Sequence, residues 1–145
     1  MDREPQRNEK KQVMILVDTS VWVDFLRGVN SRESKALGRL IDNDNDVSIT
    51  DIILTEILQG IRSDRDFQNV KGILLEFPIY RPKGIETYLD AARIYRECRK
   101  KGRTVRSTVD CIIAAVCIEN DLVLLHKDSD FDFIEACTGL KVLTP

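Results

Sequence analysis

The chain has 145 residues, 43% hydrophobic and 32% charged, with a formal net charge of −2 at pH 7. A single domain of this size buries roughly 68–70% of its unfolded surface and folds without a disulfide or structural metal. One histidine, His126, argues against a histidine-rich zinc site and a Ser-His-Asp triad, and the small net charge leaves any nucleic-acid contact to local basic clusters.

Residues 1–12 carry nothing apolar after Met1, so they read as a flexible tail without the apolar core of a secretory signal. The domain proper is expected over residues 13–145, with no membrane span. Met14 to Asp18 is a short apolar run ending in an acid and two hydroxyl residues, which suits a central parallel strand. Ligands of open α/β sheets sit outside the carboxyl ends of such strands, where Asp18 stands. A helix is expected from Val21 to Arg27, stopped by Gly28, with Thr19 and Ser20 as its caps. Ser31 caps a second helix through Leu40 and Ile41. Asp42 to Asp46 forms a solvated turn, since the Gly and distal Glu of an EF-hand are missing.

Val47 to Ile49 reads as a strand and Thr50 as the cap of a helix from Asp51 to Gly60. Ser63 caps a further helix, Asp64 to Leu75. After a strand at Phe77 to Tyr80 and a turn at Arg81 to Gly84, the longest helix runs from Ile85 to Lys100 and is closed by Gly102. The loop Arg103 to Arg106 leads into an apolar helix, Thr108 to Asn120. Leu122 to Leu125 is a buried strand, Ser129 to Cys137 a helix, and Lys141 to Leu143 a last strand. Strands alternating with helices through short loops predict an α/β fold, a three-layer α/β/α sandwich around a mostly parallel sheet. Cys98, Cys111, Cys117 and Cys137 form no C-x-x-C pair and read as reduced core residues of a cytoplasmic protein.

The acids carry the chemistry. Asp18 ends the first strand. Glu56 projects between Ile52 and Ile53, roughly 40° and 60° from them, at the edge of an apolar stripe; there a carboxylate is costly unless it is paired or bound to metal. Asp110 stands at capping-box spacing from Ser107, and the helix N-terminus favours its anionic form. Asp128 and Asp130 follow the strand ending at Leu125, and Asp128 also suits an N-cap. Each acid alone has a structural explanation. Gathered in one cleft they would repel one another unless a cation neutralised them, and all-oxygen ligation favours Mg²⁺ or Mn²⁺.

Four stretches, Val17 to Trp22, Thr55 to Gly60, Thr108 to Ala115 and Leu124 to Phe131, come in an order that resembles PIN-domain ribonucleases and, among them, VapC-like toxins of toxin–antitoxin pairs. The resemblance covers about residues 13 to 145. It places the metal-binding acids at Asp18, Glu56 and Asp110, with a fourth at Asp128 or Asp130, and Thr19 or Ser20 near the metal or its water. His126 stands where many members carry Thr, which makes it a candidate to touch substrate. The resemblance implies a Mg²⁺-dependent endoribonuclease, with Mn²⁺ as a substitute, a homodimer, and a separately encoded antitoxin partner. Its products would carry 5′-phosphate and 3′-hydroxyl ends.

An acidic cleft repels RNA, so basic residues must ring it. Arg103 and Arg106, in the loop before Asp110, are the first candidates; Arg99, Lys100 and Arg62 follow. Arg93 and Arg96 lie at helical spacing with Arg99, but suit an ordinary solvated face equally well. Trp22 reads as a core or dimer contact. The rival readings are a phosphoacceptor receiver domain, a haloacid-dehalogenase-like phosphatase, and a non-catalytic RNA-binding PIN domain. The phosphatase would want an acid where Ser20 stands, and the non-catalytic member would have lost acids that are all present here.

Overall fold

In the computed structural model, which describes residues 13–145, five strands alternate with seven helices. The expected tail lies outside the described residues. β1 (Ile15–Val17) is wholly buried, because its three aliphatic side chains sit in the middle of the sheet with strands on both edges. β2 (Val47–Thr50) and β4 (Val123–Leu125) flank it in parallel, with Ile15 opposite both Val47 and Val123. β3 (Ile79–Tyr80) and β5 (Lys141–Val142) form the edges, giving the order β3-β2-β1-β4-β5 with all pairs parallel.

The helices follow from this order. α1 (Thr19–Leu26) and α2 (Arg32–Asp42) connect β1 to β2, while α3 (Asp51–Gln59) and α4 (Asp64–Leu74) connect β2 to β3. α5 (Ile85–Lys100) and α6 (Thr108–Glu119) then carry the chain back past β1 to β4, and α7 (Ser129–Cys137) connects β4 to β5. Right-handed crossovers moving in opposite directions from β1 place the two groups of helices on opposite faces of the sheet. α1 packs on α2 and α3; α5 packs on α6 and α7. This is the expected three-layer sandwich, and its strand order reverses between β1 and β4. A crevice opens at such a switch point, beyond the strands' carboxyl ends.

Three of the expected caps are present: Ser31 shares a reciprocal capping box with Ser34, Thr50 accepts from the Ile53 amide, and Ser63 accepts from the Asp66 amide. Side-chain caps of this kind contribute about 1 kcal/mol each. Gly28 and Gly102 adopt φ of 71° and 89°, the left-handed region that lets the chain leave α1 and α5. The start of α1 differs from expectation. The helix begins at Thr19, with Asp18 at the cap position, so Thr19 and Ser20 lie in its first turn. β3 is also shorter than the expected Phe77 to Tyr80, as suits an edge.

The core is continuous through both layers. Trp22 is fully buried, edge-on to Phe25 and Phe77 at ring distances of 6.4 and 5.1 Å, which makes it a core residue. α6 buries Cys111, Ile113, Ala114, Ala115, Val116 and Cys117, as its all-round apolar sequence requires. All four cysteines are free thiols. Among the described residues no helix is long and apolar enough to cross a membrane.

Candidate active site

The switch-point crevice is where the acids meet. The Asp18 amide donates to the Leu125 carbonyl at 3.0 Å, pinning the end of β1 to the end of β4. Asp18 has extended backbone, φ −72° and ψ 159°, and its carboxylate makes no capping bond. Its main chain performs the capping, because its carbonyl accepts from the Val21 and Trp22 amides, each at 3.2 Å. The side chain is thereby free for the crevice, although the residue is only 7% exposed. Burial, then the nearby charges of Glu56 and Asp128, push its carboxyl from 3.8 up to about 6, against stabilising bonds from the Thr19 amide and the Ser20 hydroxyl.

Glu56 reaches the crevice from the middle of α3, where the Thr19 hydroxyl donates to its Oε1 at 2.8 Å. That bond answers why an apolar stripe tolerates the acid; neither Arg62 nor Arg106 pairs with Glu56 among the described residues. Asp110 enters from the first turn of α6. The capping box suggested by its spacing does not form, since the Ser107 side chain accepts no cap bond. Burial, followed by the charges of Asp18, Asp128, Asp130 and Glu56, raises the Asp110 carboxyl to about 7.

Asp128 does cap α7, accepting from the Asp130 amide at 2.9 Å, and it also faces the crevice. The two roles coexist. Asp18, Glu56, Asp110 and Asp128 line one open cavity of about 690 Å³, together with Thr19 and Ser20. Asp130 takes a different place. It is 3% exposed; its Oδ2 accepts from the Arg106 amide and Nε at 3.2 and 3.3 Å, and Arg103 lies 3.9 Å from its other oxygen. One oxygen each of Asp110, Asp128 and Asp130 nevertheless lies within 4.8 Å of the others. The donor set is all oxygen and crowded with like charge, which fits a hard divalent cation better than zinc.

The basic candidates divide. Arg106 lines the cavity and comes within 3.7 Å of Asp128. Arg103 stacks on Phe133, 5.0 Å from its ring centre. Arg99 lies over the Tyr95 ring in a separate groove between α5 and α6, and Lys100 pairs with Glu97 at 3.4 Å, so neither lines the acidic cavity. Arg62 is exposed at the rim of an adjoining cavity. Sequence reasoning missed Lys127, which lines the acidic cavity and forms an ion pair with Asp24 of α1. Its position, directly before Asp128, was the available signal.

His126 is 8% exposed and packs against Phe131, which removes it from the surface where substrate would arrive. Its Nδ1 accepts from the Asp128 amide at 3.1 Å, so it supports the β4–α7 turn. Its Nε2 lies 3.5 Å from Asp132 Oδ1 without the alignment of a hydrogen bond. Burial holds its pKa below the ordinary value despite the carboxylates around it.

The family model of the PIN domain matches residues 15–136. Ribonuclease VapC11 of Mycobacterium tuberculosis is 34% identical over 129 residues, covering 88% of this chain and 96% of its own length. Ribonuclease VapC51 of the same organism is 30% identical over 124 residues, covering 86% and 87%. In fold, the chain superposes with a TM-score of 0.71 and 18% identity on a chain of VapBC2 from Rickettsia felis, solved bound to promoter DNA; the match covers 90% of this chain and 98% of that one. A chain of FitAcB from Neisseria gonorrhoeae gives 0.65 and 22%, with coverage of 90% and 97%.

Proposed function

The chain belongs to the PIN domain family, and on that premise we propose that it is a metal-dependent endoribonuclease, the toxin of a VapBC-type pair. The observation that carries this reading is the meeting of Asp18, Glu56, Asp110 and Asp128 in one cavity, with two of these carboxyls raised to about 6 and about 7. Burial is the larger cause of both shifts and mutual repulsion the next, and a cation paired with the carboxylates relieves both. The names of its ribonuclease relatives point the same way.

Asp18 and Asp110 are the proposed principal ligands of Mg²⁺, or Mn²⁺ in its place, with Glu56 and Asp128 completing the set directly or through water. When bound, the ion supplies Lewis-acid polarisation of a phosphate oxygen and lowers the pKa of a coordinated water. Thr19 holds Glu56 in place by its 2.8 Å bond, and Ser20 steadies Asp18 at 3.4 Å. Arg106 and Lys127 stand at the cavity wall, where their charges offset the repulsion between acids and an RNA phosphate. Asp130 acts through Arg106 and Arg103 by fixing the loop that carries them. A separately encoded antitoxin belongs to the same proposal, supported by neighbours in fold that were solved as VapBC complexes; a homodimer and a cytoplasmic setting are proposed with it from the family resemblance alone.

The test is cleavage of RNA by purified protein with Mg²⁺ and with chelator, beside Asp18→Asn and Asp110→Asn. Magnesium-dependent cutting that both substitutions abolish is expected. Cutting indifferent to chelator and to both changes would overturn the reading.

A further inference from the structure

The cavity that gathers four acids is also lined by two cations, and the two are held differently. Arg106 bonds Asp130 and comes within 3.7 Å of Asp128, one of the candidate metal ligands. Lys127 directly precedes Asp128, and an ammonium on a flexible four-carbon stem can turn toward many partners. Its ion pair among the described residues is nevertheless with Asp24, a residue of α1 that does not line the cavity. The strongest charge effects on Asp18 and Asp110 come from other carboxylates, not from Lys127. A cation beside four acids is thus paired with a fifth.

Local structure does not demand that pair. Asp24 stands in the last turn of α1, where the helix dipole disfavours an acid. The turn that carries Lys127 has its own supports: His126 Nδ1 accepts from the Asp128 amide, and Asp128 Oδ1 accepts from the Asp130 amide. What the pair decides is where the ammonium sits. Lys127, with the Ser31 hydroxyl and Arg27, holds the Asp24 carboxyl below its ordinary value, so the partner is charged throughout the neutral range.

We propose that Asp24 is a positioning residue of the metal site: it holds the Lys127 ammonium off the carboxylates, so that Asp18, Glu56, Asp110 and Asp128 stay open to a divalent cation. The inference rests on the metal-site reading and extends it to a residue outside the cavity. An ammonium seated among the acids would compete with the ion for the same oxygens. Held on Asp24, it leaves them free, and Lys127 keeps two further N–H donors for a phosphate oxygen of the strand.

The experiment measures Mn²⁺ binding without RNA, by the electron paramagnetic resonance of the free ion. Wild type is compared with Asp24→Asn, Asp24→Ala, Lys127→Met and the double variant Asp24→Asn/Lys127→Met, each checked for fold by circular dichroism. Asp24→Asn should weaken Mn²⁺ binding about fivefold, the scale of one exposed ion pair. Asp24→Ala should do the same, so either variant reads the effect if the other fails to fold. Lys127→Met should not weaken binding, and the double variant should match it, because no ammonium is left to compete. A pair that only props the fold predicts a different pattern, in which stability falls and the metal affinity of the folded protein stays unchanged. Unchanged affinity in both folded Asp24 variants, or a deficit that persists in the double variant, would overturn the role. RNA cleavage by the same proteins is followed separately, and Asp24→Asn should need about fivefold more Mg²⁺ for half its maximal rate. Mn²⁺ binding with no cleavage by wild type would sink the nuclease reading and leave the role of Asp24 standing. Absence of Mn²⁺ binding by wild type would remove the metal site, and that role with it.

Discussion

The Thr19 hydroxyl donates to Glu56 Oε1 at 2.8 Å, tying the first turn of α1 to the middle of α3. The bond crosses the sheet's carboxyl edge and occupies one oxygen of a carboxylate that would otherwise be costly beside Ile53 and Ile57. Replacing Thr19 with Val keeps the shape and removes the donor. Hydrogen bonds to charged groups contribute about 1.5–3 kcal/mol, so thermal denaturation should show a loss on that scale. Because Glu56 is then free to change rotamer, RNA cleavage should fall by roughly 10- to 100-fold, the usual effect of a small misplacement. Thr19→Ser, which restores the hydroxyl, should recover most of both. A Val variant that cleaves like wild type would remove Thr19 from the site's supporting groups.

Asp18 and Asp110 make the metal-free protein less stable as pH rises. Both carboxyls are raised in the fold, from 3.8 to about 6 and about 7. Between these values and 3.8 the folded state binds more protons than the unfolded one, so stability falls as pH increases and is lowest above pH 7. For buried Asp18 a rise of that size corresponds to at most ~3 kcal/mol. Asp110 is less buried and coupled to Asp18, so the two effects do not add. Asp18→Asn should therefore stabilise the metal-free protein at pH 8 and do little at pH 4. Mg²⁺ should stabilise wild type at pH 8, by about 2.7 kcal/mol at a hundred times its dissociation constant, and should not stabilise Asp18→Asn to that extent. Denaturant titrations at both pH values, with and without the ion, read all four quantities.

The fold was legible because local signals agreed. The aliphatic run of β1, the caps Ser31, Thr50 and Ser63, and the glycines after α1 and α5 are each decided within a few residues. The acids were legible as candidates for the same reason, being oddities on strand ends or apolar faces. Their division of labour was not. Whether Asp128 or Asp130 faces the crevice depends on where α5 delivers Arg103 and Arg106, more than twenty positions away in the chain, and no periodicity carries that information. The capping box at Ser107 failed likewise, because the geometry of an incoming loop decides whether a serine can reach its helix amides. Lys127 was hidden because its partner Asp24 becomes its neighbour only when β4 aligns with β1.

Asp128 and Asp130 can now be separated by substitution. Asparagine caps a helix about as well as aspartate, so Asp128→Asn keeps the α7 cap and removes only the charge facing the cavity. It should fold like wild type and lose cleavage, with magnesium dependence moved to higher concentration. Asp128→Ala loses the cap as well and should cost about 1 kcal/mol more in stability. Asp130→Ala removes the charged acceptor of the Arg106 amide from a part-buried hydrogen bond and should cost about 1.5–3 kcal/mol, the scale of a bond to a charged group. Its cleavage defect should appear chiefly in KM, through release of Arg103 and Arg106, with little change in the magnesium requirement. The reverse pattern, with Asp130→Asn shifting the magnesium requirement and Asp128→Asn leaving it unmoved, would exchange the two roles.

His126 adds a pH dependence of opposite sign. Its imidazole is held below the ordinary 6.5 by burial, which outweighs the upward pull of Asp132, Asp128, Glu135 and Glu33. Below pH 6.5 the unfolded chain binds a proton that the folded chain resists, so this group's stability contribution is lost as pH falls. Protonation at Nδ1 would also remove the acceptor of the Asp128 amide. His126→Asn retains an acceptor in the turn but cannot titrate. Its stability deficit relative to wild type should therefore be largest at pH 8 and shrink toward pH 5; the Asp18 and Asp110 contributions are common to both proteins and cancel in that difference. The imidazole proton resonances of wild type, with only one histidine to assign, should titrate with a midpoint below 6.5. A midpoint above 6.5 would mean that Asp132 and its acidic neighbours outweigh burial at this imidazole.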